Sequence, residues 1–107
     1  MCGDGSFQMS MNELATMRQH GACVKVIVMN NGVLGLVKEY QEKVHGGRLS
    51  GIDLSGSPDI GGIAAAYGMP FFRADSTETA LAAAKQLLES PRSGLLECIV
   101  SDREASV

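Results

Sequence analysis

Residues 23–32 read Cys-Val-Lys-Val-Ile-Val-Met-Asn-Asn-Gly, and the fold turns on how Cys23–Met29 is assigned. The run is almost continuously apolar and β-branched, and it lacks the polar–apolar alternation of a strand with one wet face. That pattern predicts a strand buried on both faces, as in a parallel sheet. Asn30-Asn31-Gly32 then gives a sharp turn signal at its end.

Upstream, Ser10-Met-Asn-Glu13 has the form of a capping box, with Ser10 as N-cap and Glu13 reaching back. Met11, Leu14, Ala15 and Met17 give the helical apolar face behind it, and Gly21 follows as a stop, which predicts one helix over roughly residues 10–20. Downstream, residues 33–44 predict a second helix with Val33, Leu36, Val37 and Tyr40 on one side. The Gly- and Ser-rich stretch 45–57 predicts a mobile loop. Ser57-Pro58 marks a helix start, and Ile60, Ile63, Ala64 and Tyr67 recur helically before Gly68. Pro70–Arg73 is a short strand. Asp75 or Ser76 caps a strong helix with Ala80, Leu81, Ala84, Leu87 and Leu88 on its face, and Pro91 prevents its continuation. Gly94–Val100 is the last strand, and 101–107 is expected to be a loose tail. Strands alternating with helices in this way predict a single α/β domain over 1–107: a three-layer α/β/α arrangement with a mainly parallel sheet and right-handed crossovers.

The 107 residues suit one domain with its own core, at 45% apolar and 20% charged residues. The nine Lys and Arg are scattered, the net charge is −3 and there is no Trp, so neither a basic stripe nor a stacking platform argues for nucleic acid. No apolar run approaches the ~18 residues of a membrane span. Cys2, Cys23 and Cys98 are odd in number and form no Cys-x-x-Cys pair; they read as reduced, mostly buried thiols of a cytoplasmic protein.

In open parallel sheets ligands bind beyond the carboxyl ends of the strands. Asn30-Asn31 lies at such an end. So does Gly3-Asp4-Gly5-Ser6, with Met1-Cys2 as the stub of the strand that presents it. Asp4 offers a carboxylate and Asn31 a neutral amide oxygen, and Gly3 and Gly5 let a ligand approach the backbone. Mg²⁺ takes about six oxygens and usually keeps phosphate and water among them, so one protein carboxylate with neutral oxygens suits a magnesium diphosphate. Either motif alone reads as an ordinary turn. His20 and His45 have no partner in sequence for acid–base work, and the six methionines read as gap-fillers.

Together the two motifs are more specific. Gly-Asp-Gly, a helix, a buried strand and Asn-Asn, with 27 positions from Asp4 to Asn31, resemble the diphosphate-binding signature of thiamine diphosphate enzymes. The segment from Gly3 to Gln41, with "GDGSFQM", "ELAT", "VKV" before "NNG" and "LGLV" before "YQ", is similar to the carboxyl-terminal domain of the large subunit of acetolactate synthases. The later "PDIGGIAAAYGM" and "LLECIVS" fit the same family.

The resemblance implies Mg²⁺ held by the side chains of Asp4 and Asn31 and by the Val33 carbonyl. It implies diphosphate held by backbone groups of Gly5 and Ser6 with the Ser6 hydroxyl, a cofactor-binding set of Gly3, Asp4, Gly5, Ser6, Asn31, Val33, Leu34, Gly35 and Leu36, and a segment Leu34–Gln41 that covers the thiazolium side of the cofactor. Leu36 and Tyr40 stand where many members carry Met and Trp, and Tyr40 bears on the choice of second substrate. The family decarboxylates pyruvate and joins the two-carbon unit to a second 2-keto acid, in branched-chain amino acid synthesis. Its activating glutamate comes from a separate pyrimidine-binding domain, and FAD, where present, binds a middle domain. The resemblance therefore implies that this chain is the carboxyl-terminal part of a larger enzyme, a partial thiamine diphosphate-binding fold without its N-terminal strands, that it binds no FAD, supplies no catalytic residue of its own and is inactive alone. A homo-oligomer, the missing domains and a regulatory subunit are the implied partners. Two other readings stay open: a different 2-keto acid decarboxylase or carboligase of the superfamily, and a non-catalytic α/β binding module. A mean hydropathy of +0.07 is consistent with surface meant for burial, and the chain alone is expected to be a dimer or larger.

Overall fold

The computed structural model describes residues 1–103. The elements are β1 (Cys2–Gly3), α1 (Asp4–Ser10), α2 (Glu13–His20), β2 (Lys25–Asn30), α3 (Gly35–Val44), α4 (Ile60–Ala66), β3 (Phe71–Ala74), α5 (Thr77–Glu89) and β4 (Gly94–Ile99). The four strands form one sheet in the order β1-β2-β4-β3, and every pair is parallel.

Side chains alternate across a strand, and here the alternation sorts the core into two layers. Leu95 of β4 and Val28 of β2 point to one face, where they meet Phe7, Leu14, Ile60, Ala64 and Met69 from α1, α2, α4 and the segment after it. Leu96 points to the other face, against Ala83 and Leu87 of α5. Helices therefore flank both faces, as the element order implies. α3 buries none of its residues.

Several local expectations give way to tertiary packing. The doubly buried strand is β4, not β2: residues 94–97 are all buried, while in β2 only Val28 is. β4 lies between β2 and β3, whereas β2 meets on its other side only the two residues of β1. The expected helix over 10–20 is two helices that begin at Asp4, with Met11 and Asn12 between them. Ser10 is the last residue of α1, so the Ser10–Glu13 box does not form. Burial of both Phe7 and Leu14 in one core outweighs that local signal. Ser57-Pro58 precedes the start of α4, whose N-cap is Asp59, accepting a hydrogen bond from Gly62 N at 2.7 Å. Ser76 caps α5 in a reciprocal pair with Thr79.

On α5 the buried stripe runs through Ala83 and Leu87, with Ala80 and Ala84 half-buried, while Leu81 and Leu88 face outward. The 45–57 loop is tied to the residues after β2 by Leu34 N–H to Ile52 O and Leu54 N–H to Gly32 O, both 2.8 Å. Ile52 is buried there. All three cysteines are free, yet Cys23 is exposed and Cys2 and Cys98 are only half-buried. Of the expected loose tail, Ser101–Arg103 forms a turn that Lys38 holds through Asp102, and 104–107 lie outside the described residues. Among the described residues no helix is long and apolar enough to cross a membrane.

Candidate functional site

β1 and β2 run side by side with Gly3 opposite Met29, so their carboxyl ends release the chain at one place. From β1 the chain enters α1 directly at Asp4. From β2 it passes through Asn30-Asn31-Gly32, where Gly32 adopts φ +69°, a left-handed conformation that a side chain disfavours. This juxtaposition brings residues far apart in sequence together: Asp4 Oδ2 accepts a hydrogen bond from Gly32 N–H at 3.1 Å.

Asp4 is buried, at 5% exposure. Among the described residues it has no ion-pair partner and no hydrogen bond beyond that from Gly32. A buried carboxylate without a cation is costly, because desolvation is not repaid by a neighbouring charge. Asn31 Oδ1 accepts from Val33 N–H at 3.2 Å, which curls the turn so that Asn31 and Val33 both border the same space as Asp4.

That space is a cleft of about 380 Å³. Gly3, Asp4, Gly5, Ser6, Asn31, Val33, Leu34, Gly35 and Leu36 all line it. Val37, within the segment expected to cover the cofactor, lines it as well, and so does Met9, which the sequence reading does not single out. Helical periodicity does not identify Met9 as a lining residue, because the cleft wall is built from the ends of two different helices. A Cβ at Gly5 would come within 2.7 Å of Leu34 Cδ2, so the end of that side chain would have to move aside. The first N–H groups of α1 have no intrahelical acceptor, as in any helix.

The donor set fits a magnesium diphosphate. It comprises one uncompensated carboxylate, the amide oxygen of Asn31 and backbone groups. Among the described residues there is no cluster of three or more His, Cys, Asp or Glu that would chelate a metal unaided. A cation here would need ligands from an anionic partner, which is the habit of Mg²⁺ at phosphates.

Two further clefts adjoin this one. The larger, about 680 Å³, lies along α3 and is lined in part by Lys38, whose Nζ pairs with Asp102 Oδ2 at 2.8 Å. That pairing holds the Asp102 carboxyl below its usual range, through the Lys38 hydrogen bond first and its charge second. The other, about 320 Å³, lies behind Asp4 and is lined also by Asn30, Arg73 and Glu97. Glu97 is buried in β4, a position the sequence marks only as one acid in an apolar strand. His20 is exposed at the end of α2, and the His45 ring meets the exposed Tyr40 edge-on, 5.5 Å between centroids.

Comparison with known proteins gives a consistent picture. The family model for thiamine pyrophosphate enzymes, C-terminal TPP binding domain, matches residues 1–98. The acetolactate synthase large subunit of Pyropia yezoensis is 35% identical over 103 residues, covering 95% of this chain and 18% of that protein. An acetolactate synthase of Arthrospira platensis is 46% identical over 68 residues, 63% of this chain and 12% of that protein. The large subunit of Lactococcus lactis subsp. lactis is 33% identical over 102 residues, again 95% of this chain and 18% of the relative. The chain thus spans less than a fifth of the length of the curated relatives it matches.

Proposed function

The chain belongs to the thiamine pyrophosphate enzymes, whose C-terminal TPP-binding domain it matches, and from that premise we propose that its 380 Å³ cleft holds the magnesium diphosphate end of the cofactor in an acetolactate synthase-type enzyme. The observation that carries the reading is Asp4: a buried carboxylate with no cation, at the end of a strand, facing a cleft bordered by neutral oxygens.

In this reading Asp4, the Asn31 side chain and the Val33 carbonyl bind Mg²⁺, and Gly5 and Ser6 hold the diphosphate through backbone N–H groups and the Ser6 hydroxyl. Leu34 and Leu36 give apolar cover that excludes water from the cofactor's reactive side. The cofactor supplies the electron sink for decarboxylating a 2-keto acid and joining the remaining two-carbon unit to a second one. This chain binds and orients, and none of its residues is assigned an acid–base role. The activating glutamate, and FAD where the enzyme uses it, belong to other domains of a longer polypeptide. We place that enzyme in branched-chain amino acid synthesis in the cytoplasm, as a homo-oligomer served by a regulatory subunit.

Asp4→Ala in the complete enzyme tests the reading. Loss of a direct ligand is expected to weaken Mg²⁺–cofactor binding by more than the roughly 10–100-fold typical when only a ligand's supporting residue is removed. Unchanged cofactor affinity would sink the assignment. The 107-residue chain alone is expected to form no acetolactate from pyruvate, cofactor and Mg²⁺; measurable product would show that it carries its own activating group.

A further inference from the structure

Among the described residues, Glu97 is the one buried charge that the cleft does not account for. It sits in β4 at 2% exposure. Arg73 Nε lies 3.3 Å from its Oε2, but the pair is poorly aligned and that buried oxygen accepts no hydrogen bond. A carboxylate so placed is not optimised for stability, since a well-packed apolar residue often serves a strand core as well or better.

Its other oxygen is well used. Glu97 Oε1 accepts from Asn30 Nδ2 at 2.7 Å. Because a carboxylate only accepts, this bond fixes which way the Asn30 amide faces. Its oxygen must then point away, and Asn30 Oδ1 accepts from Gly32 N–H at 3.0 Å. The same N–H reaches Asp4 Oδ2 at 3.1 Å. A flipped Asn30 would set an amide oxygen against the carboxylate and an NH₂ against the Gly32 N–H. The relay Glu97–Asn30–Gly32–Asp4 therefore joins β4, the end of β2 and the start of α1.

We propose that Glu97 is a positioning residue: acting through Asn30, it locks the Asn30–Val33 turn against Asp4 and thereby sets the cleft's affinity for a divalent cation. The inference rests on the magnesium diphosphate reading above and adds a residue to it that touches neither metal nor cofactor.

The test uses the complete enzyme and needs no turnover. Mn²⁺ serves as a spin-active probe for the Mg²⁺ position in the presence of thiamine diphosphate. Hydrogen exchange across residues 30–33 is followed in the metal-free protein. Glu97→Leu is expected to lower Mn²⁺ affinity by about 10–100-fold and to speed exchange at the turn, as when a residue that orients a metal ligand is lost. Glu97→Gln keeps a side-chain carbonyl that accepts from Asn30 and is expected to stay within about threefold of wild type. Asn30→Ala removes both of the relay's side-chain bonds at its second member, is expected to match Glu97→Leu, and decides the matter if Glu97→Leu does not fold. Wild-type Mn²⁺ affinity in Asn30→Ala, or a lower melting temperature with unchanged affinity in Glu97→Leu, would overturn the inference. So would an equal loss in Glu97→Gln and Glu97→Leu, since charge rather than orientation would then be at work. Failure of the wild-type enzyme itself to take up Mn²⁺ overturns the cleft reading, and this inference with it.

Discussion

Asp4 sets binding against stability within one side chain. Its carboxylate is nearly buried and meets one backbone N–H and no positive charge among the described residues. Asp4→Asn keeps an oxygen for Gly32 N–H and removes the unneutralised charge. In the absence of metal the variant is expected to be more stable by about 0.5–2 kcal/mol, the gain common when a functionally strained position is relaxed. Urea denaturation with and without Mg²⁺ and cofactor checks this: the wild type is expected to gain stability from the pair, and Asp4→Asn to gain none. A metal-free Asp4→Asn that is less stable than wild type would show that the charge is compensated. At this scale the sequence was informative where chemistry and spacing coincided. Asp4, Asn30 and Asn31 stand out because each ends a predicted element, but Glu97 and its bond to Asn30 do not, because that contact is 67 positions long.

Helix faces show where periodicity stops being decisive. It assigns Leu87 and Leu88 of α5 to one apolar face, yet Leu87 is fully buried and Leu88 is 69% exposed. Consecutive helical residues are about 100° apart, so a narrow contact with one sheet face admits only one of them. Leu87→Ala is expected to cost about 2–5 kcal/mol. Leu88→Ala is expected to change stability by less than about 0.5 kcal/mol. Denaturation midpoints of the two variants separate them, and equal losses would mean that Leu88 is covered.

The clasp between α3 and the segment after β4 yields a prediction in pH. Lys38 lowers the Asp102 pKa below its ordinary value of 3.8. A carboxyl whose pKa is depressed by folding stabilises the fold above its unfolded value and loses that contribution as pH falls through the folded one. The clasp is therefore intact at neutral pH and released only in acid below the usual aspartate range. An NMR titration of the Asp102 carboxyl should show its midpoint rising toward the ordinary value in Lys38→Met, and an unmoved midpoint would deny the pairing in solution.

For the molecule as a whole, the fold class was legible because strand and helix signals alternate along the chain, and a parallel sheet is the economical way to satisfy them. Which strand is most buried was not legible, since that depends on who sits beside it: β4 has long neighbours on both sides and β2 does not. The same asymmetry leaves surface uncovered. Leu36, Val37, Tyr40 and Val44 are exposed along α3, and Leu81 and Leu88 along α5. The Cα radius of gyration is 15.0 Å, with extents of 47 × 30 × 22 Å. A compact domain of this length has a radius of about 13 Å. An elongated shape exposes more apolar area per residue, and the hydrophobic effect acts on that area by association. The 107-residue chain in isolation is therefore expected to self-associate, its weight-average mass in sedimentation rising with concentration to a dimer or beyond. Replacing Leu36 and Tyr40 with glutamine should lower that mass if the α3 face carries the contact, because both side chains are largely exposed and neither holds the core. A monomer at every concentration would mean that these faces are not sticky enough to bury themselves, and that the apolar composition is spent inside the domain.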